Sequence, residues 1–316
     1  MEYIEFIEEL RFLVEKKAGD SASVKLHRIT KNNDVILDAI IMERKGEYIS
    51  PTIYLQGFYE DYLDGRELDE IADQIIEMDS NNRFEPGVCV SELFNFEFIR
   101  DRIIFKIVNT EKNLTMLDGV PHRDFLDLSI IYICYLDMIG SGYATTVILN
   151  EHISEWDVNE EELYDIAINN TCKICEPVIK SMNEIMIEML MADDFSPEHK
   201  TEILNTLESD DKMCPMYILT NKQKLNGAAN IIYKDILIQF GKENGNFYIL
   251  PSSVHELILI PVYENLQEKQ LLEMVREVNR TEVSDDEFLS DNIYYFDTVQ
   301  NELVLIGSLD NYTLTH

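Results

Sequence analysis

The sequence predicts an α+β fold: a mixed, largely antiparallel sheet covered by helices, with an N-terminal helix–hairpin–helix lobe. Three stretches carry that expectation. Residues 213–261 (MCPMYILTNKQKLNGAANIIYKDILIQFGKENGNFYILPSSVHELILIP) hold strand, helix, strand and strand signals in clean succession. Residues 125–149 hold two apolar runs rich in Ile, Val, Tyr and Thr, joined by Gly140-Ser141-Gly142, which reads as a hairpin at the sheet centre. Residues 3–42 supply a helix and a second hairpin.

Taken in order, Ile4, Ile7, Leu10 and Val14 form one stripe over Tyr3 to Lys17, and Gly19 stops the helix. Val24 to Ile29 and Val35 to Met42 read as strands joined by the polar turn Lys31-Asn32-Asn33-Asp34. Helices are predicted over Ile53 to Leu63 and Leu68 to Met78, the second rich in early acids that suit a helix N-terminus. Glu85-Pro86-Gly87 breaks the pattern, Ser91 caps a helix over Glu92 to Arg100, and Ile103 to Val108 is apolar. The texture changes by Pro121, so the expected division is an N-terminal lobe at 1–115 and a second domain at 116–316.

Asn150 opens a helical stretch holding the single tryptophan, Trp156, and Asn159 caps a helix over Glu160 to Ile174. Met182 to Met191 and Pro197 to Leu207 are expected as an acidic helical pair within 181–211, the inserted or mobile element of the chain. Ile231, Ile232, Ile236, Leu237 and Phe240 recur at helical spacing, and strands at Phe247 to Leu250 and Val254 to Ile260 are confined by prolines. Leu266 to Asn279 is a helix with Leu271, Leu272 and Val275 inward, and Asn292 to Asp297 with Glu302 to Ile306 closes the fold as a hairpin.

Sixty acids against 26 Lys and Arg give a formal net charge of −34. Phosphate contacts need clustered cations, so direct nucleic-acid binding and anionic membrane binding are excluded as expectations. The attractive partners of such a surface are basic proteins or cations. Five cysteines in a chain this long, an acidic N-terminus and the lack of a 20-residue apolar run predict a reduced, cytoplasmic protein.

Motifs give little chemistry. Cys172-Lys173-Ile174-Cys175 lacks the second ligand pair that structural zinc needs and sits near a helix end. Ser252, Ser253, His255 and Glu256 have the letters of a hydrolase, but adjacent strand residues face opposite sides and no nucleophile elbow surrounds either serine. His255 reads either as a satisfied structural histidine or as the rim of a pocket. Asn150, Glu151 and His152 lie where a strand yields to a helix, a place that suits a ligand or a simple cap. Candidate binding residues are Asn150, His152, Trp156, Asn221, Asn226, Ser252, Ser253 and His255, with no catalytic set, metal site or cofactor expected.

Six strings resemble an uncharacterised bacterial family, domain of unknown function five-six-eight-eight: SPTIYL, PHRDFLDLSIIYICYL, NEHISEWDVNEEELYDIAINNT, MYILTNKQKLNGAA, YILPSSVHELILIP and EMVREVNRTEVSDDEFLSDNIYYFD. The resemblance spans nearly the whole chain and departs from the family pattern from Ser181 to Asp211. It implies an intracellular protein of anaerobic Gram-positive bacteria that often accompanies mobile elements, without an assigned activity. The first functional expectation is a non-enzymatic binding or regulatory protein engaging a basic protein partner, including one that itself binds nucleic acid. The alternative is a hydrolase-like enzyme with a pocket near Asn150, His152, Ser252, Ser253 and His255. A third is a structural protein of a mobile element assembling through residues 182–207.

Overall fold

Three antiparallel sheets organise the chain in the computed structural model, which describes residues 1–45, 50–83, 95–139, 142–192, 215–264 and 266–307. The break at Glu85-Pro86-Gly87, the cap at Ser91, the Gly140-Ser141 turn and the helix over Pro197 to Leu207 lie outside the described residues.

The N-terminal lobe comprises α1 (Tyr3–Ala18), β1 (Ser23–Thr30), β2 (Ile36–Glu43), β3 (Thr52–Tyr54), α2 (Gln56–Leu63) and α3 (Leu68–Asn81). Its sheet runs β1-β2-β3, and Phe6, Leu10, Val14, Ile40, Met42, Ile71 and Ile75 form its core. Two details differ from expectation. Ile4 is exposed and Phe6 is buried, because the buried stripe of α1 runs through Phe6, Ile7, Leu10 and Val14. Residues 52–54 are a strand rather than the start of a helix, because Ile53 pairs opposite Ile40 and is buried there.

The middle sheet holds β4 (Ile103–Asn109), β5 (His122–Phe125), β6 (Leu128–Ile139) and β7 (Gly142–Val147). The long strand β6 pairs with β4, β5 and β7, and the β4 ladder joins residues on either side of position 115. Helices α4 (Asn150–Trp156) and α5 (Glu160–Ile174) follow, the latter with its Asn159–Glu162 capping box. The third sheet is built from β8 (Pro177–Ser181), β9 (Tyr217–Asn221), β10 (Phe247–Pro251), β11 (Leu257–Pro261), β12 (Ile293–Asp297) and β13 (Glu302–Ile306), in the order β13-β12-β10-β11-β9-β8. Helix α6 (Met182–Ala192) follows β8, while α7 (Lys234–Asn244) and α8 (Glu268–Thr281) come from the later connections.

The α+β class therefore holds, but 125–149 and 216–260 belong to separate sheets that share one core. Phe105, Ile130 and Tyr132 of the middle sheet meet Leu219, Ile249, Leu257 and Tyr294 of the third. Burying each of these large side chains contributes about 1.5–3 kcal/mol. Helix α8 covers the other face of the third sheet with Leu271, Leu272 and Val275 against Tyr248, Leu250 and Ile260.

All three sheets are tied to one irregular connector, residues 282–292, between α8 and β12. From the tip of the β1–β2 hairpin, Asn32 Nδ2 donates to Asp286 O at 2.9 Å, and Asn33 Nδ2 donates to Asp285 O at 2.8 Å and Phe288 O at 2.7 Å. Asn33 has φ of 60°, which aims its side chain into the connector, and Asn tolerates that region better than most residues. Asn33 N and Oδ1 also exchange bonds with the buried Asn113 amide, each 2.7 Å. From the middle sheet, Asn109 Nδ2 donates to Leu289 O at 2.9 Å. The Asp127 carboxylate accepts from Ser290 at 2.5 Å, Asn292 at 2.9 Å and Tyr294 at 2.8 Å. Burial first, and then Asp127, hold the Tyr294 phenol well above its usual pKa, so it stays a donor.

Lys106 is a cation set among the buried apolar residues of the middle sheet. It stands on β4 opposite Ile131, and burial, then the nearby Lys31 charge, pull its ammonium from 10.5 down to about 8. Below pH 8 the group is charged both folded and unfolded, and the fold bears the whole cost. Between about pH 8 and 10.5 the folded protein loses the proton first, so stability rises with pH across that window.

Two outcomes are expected in urea denaturation. Asn33→Ala should destabilise by about 3 kcal/mol, through lost amide bonds and a strained positive φ. Lys106→Met should stabilise by about 2 kcal/mol at pH 7, and the gain should shrink as pH rises from 8 to 10.5.

Candidate functional site

Thr220 to Ile232 leaves β9, turns, and lies against the bend that precedes β11. Asn221 closes the turn on itself: its Nδ2 donates to Leu225 O at 2.7 Å and its Oδ1 accepts from Leu225 N at 3.2 Å. Asn226, at φ of 53°, points its backbone N–H at His255 Nδ1, 3.1 Å away. That bond makes Nδ1 the acceptor and leaves the ring proton on Nε2, which faces Glu287 Oε1 at 3.3 Å. Thr220 Oγ1 donates to His255 O at 2.8 Å, and Ser253 Oγ accepts from His255 N at 3.0 Å. Ser252 lies beside this group, half-buried.

The bend explains why the expected strand over Val254 to Ile260 begins only at Leu257. Val254 N leaves the sheet to donate to Glu287 O at 2.9 Å, so Ser253 and His255 serve the corner and not a ladder. Gly227 is what lets the two segments meet. A Cβ there would fall 2.4 Å from His255 O and 2.4 Å from Thr220 Oγ1.

The other nominated residues gather around α4. Leu149 occupies the N-cap position, and His152 Nδ1 accepts from Leu149 N at 3.1 Å. Asn150 is not the cap; its Nδ2 reaches Asp118 O at 3.1 Å and fastens the helix to the short helix Leu114–Gly119 between β4 and β5. The His152 ring stacks on Trp156 at 5.5 Å, and Phe96 approaches Trp156 at the same distance. The structure thus gathers Asn150, His152 and Trp156 at one place, and Asn221, Asn226, Ser252, Ser253 and His255 at another. Each group has its own partners: Asp118 and Phe96 for the first, Thr220 and Glu287 for the second.

A third polar cluster was not anticipated. Arg123 on β5 grips Glu160 with two bonds, at 3.0 and 2.9 Å, and lies 4.0 Å over the Tyr164 ring. Tyr132 donates its hydroxyl to the same carboxylate. Burial first, then Glu160, drives the Tyr132 phenol far above its ordinary value, so it holds its proton and clamps the start of α5 to β6. Glu160 is one of three consecutive acids, and nothing local distinguishes it from Glu161 or Glu162.

Concavity lies elsewhere again. A groove of about 610 Å³ runs between β8 and α7. Its apolar lining is Ile179, Tyr217, Ile236 and Phe240, with the Tyr217 and Phe240 rings edge to face at 5.0 Å. Glu184, Asp235 and Glu243 stand around it, and among the described residues its lining includes no Lys, Arg or His. Strand β8 carries no alternating signature: all five of its residues are half-buried. Among the described residues no group of three or more His, Cys, Asp or Glu is placed to hold a metal ion, and no helix is long and apolar enough to cross a membrane.

A family model described as Family of unknown function (DUF5688) matches residues 3–298. The chain belongs to that family. No curated protein and no solved structure matches it. The DUF5688 match covers the N-terminal lobe, the two sheets behind it and the connector that joins them, up to the end of β12.

Gly227 gives the test of the His255 corner. Gly227→Ala should cost about 3 kcal/mol or more in urea denaturation, because the atoms it meets are backbone and a buried hydroxyl. A loss under about 1 kcal/mol would mean that the corner yields and is not a fixed structural element.

Proposed function

We propose that this chain is a non-catalytic binding protein that engages a basic segment of a partner protein through the groove between β8 and α7. One observation carries the reading: an apolar floor rimmed by Glu184, Asp235 and Glu243, with no cation among the described residues of the lining, in a chain of net charge −34. Apolar contact supplies affinity, while the carboxylates select a cationic partner and speed its approach. The described cysteines Cys134, Cys172 and Cys175 are free thiols, which supports action in a reducing, cytoplasmic setting. Partners that themselves bind nucleic acid carry the required Lys and Arg clusters.

The test replaces the three carboxylates together: Glu184→Gln, Asp235→Asn and Glu243→Gln. Fluorescence anisotropy with a short Lys-bearing peptide should show roughly tenfold weaker binding and a flatter salt dependence, since exposed charges contribute a few tenths to 1 kcal/mol each. Unchanged affinity, or wild-type binding that ignores salt between 50 and about 500 mM, would remove the reading.

A further inference from the structure

One wall of the groove is a strand edge, and two flanking bonds reveal which of its backbone groups face outward. Lys222 N donates to Glu176 O at 3.0 Å, and Met182 N donates to Met216 O at 2.8 Å. Both fit the register that sets Val178 opposite Thr220 and Lys180 opposite Ile218. In an antiparallel ladder such hydrogen-bonded pairs alternate with non-bonded ones. Even-numbered residues of β8 therefore bond to β9, and odd-numbered ones turn their N–H and C=O to the other side. Pro177 has no N–H to offer. The Ser181 N–H is taken by Glu184 Oε2 at 2.7 Å. Ile179 remains, with a donor and an acceptor directed away from β9 and the Pro177 carbonyl beside them. Among the described residues β8 is the outermost strand of its sheet.

We propose that the groove receives its basic partner segment as an added antiparallel strand along β8. This rests on the acidic groove being the partner site and specifies how that site is used. The partner residue opposite Ile179 exchanges two backbone hydrogen bonds with it, and the residue two further along donates to the Pro177 carbonyl. Residues directly opposite in a ladder point to the same face, so the central partner side chain joins Ile179 over the apolar floor. Its neighbours two positions away lie beside Pro177 and Ser181, and Glu184 is fixed at the Ser181 end. The recognised pattern is thus cation–x–apolar–x–cation in extended form. Pro177 at one end and the Ser181–Glu184 bond at the other limit the exposed edge to one donor. Such a short edge admits a specific segment while resisting indiscriminate strand pairing.

The probe is a fluorescein-labelled peptide, Ser-Lys-Thr-Val-Thr-Lys-Ser, and its twin N-methylated at the central valine, titrated against the full chain. N-methylation should weaken binding at least tenfold, and saturating peptide should slow Ile179 amide exchange at least tenfold. Ile179→Pro, which removes the other bond of that pair by deleting the Ile179 N–H, should match the N-methylation loss. If the triple carboxylate variant weakens the peptide but N-methylation and Ile179 exchange are indifferent, strand addition is wrong and the acidic groove stands. When the triple variant changes nothing, both fall. Slowed Ile179 exchange on raising protein concentration without peptide assigns the edge to a second copy of the chain and overturns the peptide assignment.

Discussion

The fold depends on the polar attachment of the 282–292 connector. This segment has no regular structure, so its backbone carbonyls need partners from elsewhere. Asn32 and Asn33 bring those partners from the first sheet and Asn109 from the second, while Asp127 collects the hydroxyl and amide donors of Ser290, Asn292 and Tyr294. From the other side of the connector, Asn279 Nδ2 donates to Ser290 O at 2.9 Å. Apolar contacts hold each sheet to its helices and join the middle and third sheets in one core; these hydrogen bonds tie all three sheets to a single segment. A buried polar network of this kind specifies one arrangement because a shifted one would leave donors and acceptors unmet.

That disposition bears directly on the nominated residues. The connector passes Glu287 to the His255 bend, and Val254 donates into it, so His255 is held by the device that joins the sheets. Its two nitrogens serve the corner, and Ser253 serves the same corner through its hydroxyl. The groove of β8 and α7 lies on the opposite edge of the third sheet from β13, with its carboxylates standing over an aromatic floor. Chemistry-like letters in the chain thus became scaffolding, while residues with no motif formed the recess.

The negative charge is handled differently in the interior and at the surface. Asp79 is fully buried and is matched by Arg83 at 2.5 Å and Arg44 at 3.2 Å, as a buried carboxylate must be. Ion pairs such as Arg11 with Glu15 or Lys222 with Glu176 are solvated and contribute little. With 60 acids to 26 Lys and Arg, negative charge is in large excess, and its repulsion is tolerated because water and salt screen it.

The sequence alone determined the acidity, the α+β class, most helices, the two N-terminal strands, the closing hairpin and the family wording. Each is written in local periodicity, capping residues or composition. Tertiary structure decided which strands share a sheet, since β-branched runs announce burial but not the remote partner they pair with. It also decided that Glu160, and not its neighbouring acids, meets Arg123 and Tyr132, and that His152 and His255 serve separate corners. Strand β8 is set by its place in the sheet, because half-buried residues beside a groove carry no alternating pattern. Burial along a chain is a one-dimensional signal; the groove and the polar attachment of the connector exist only where distant segments meet.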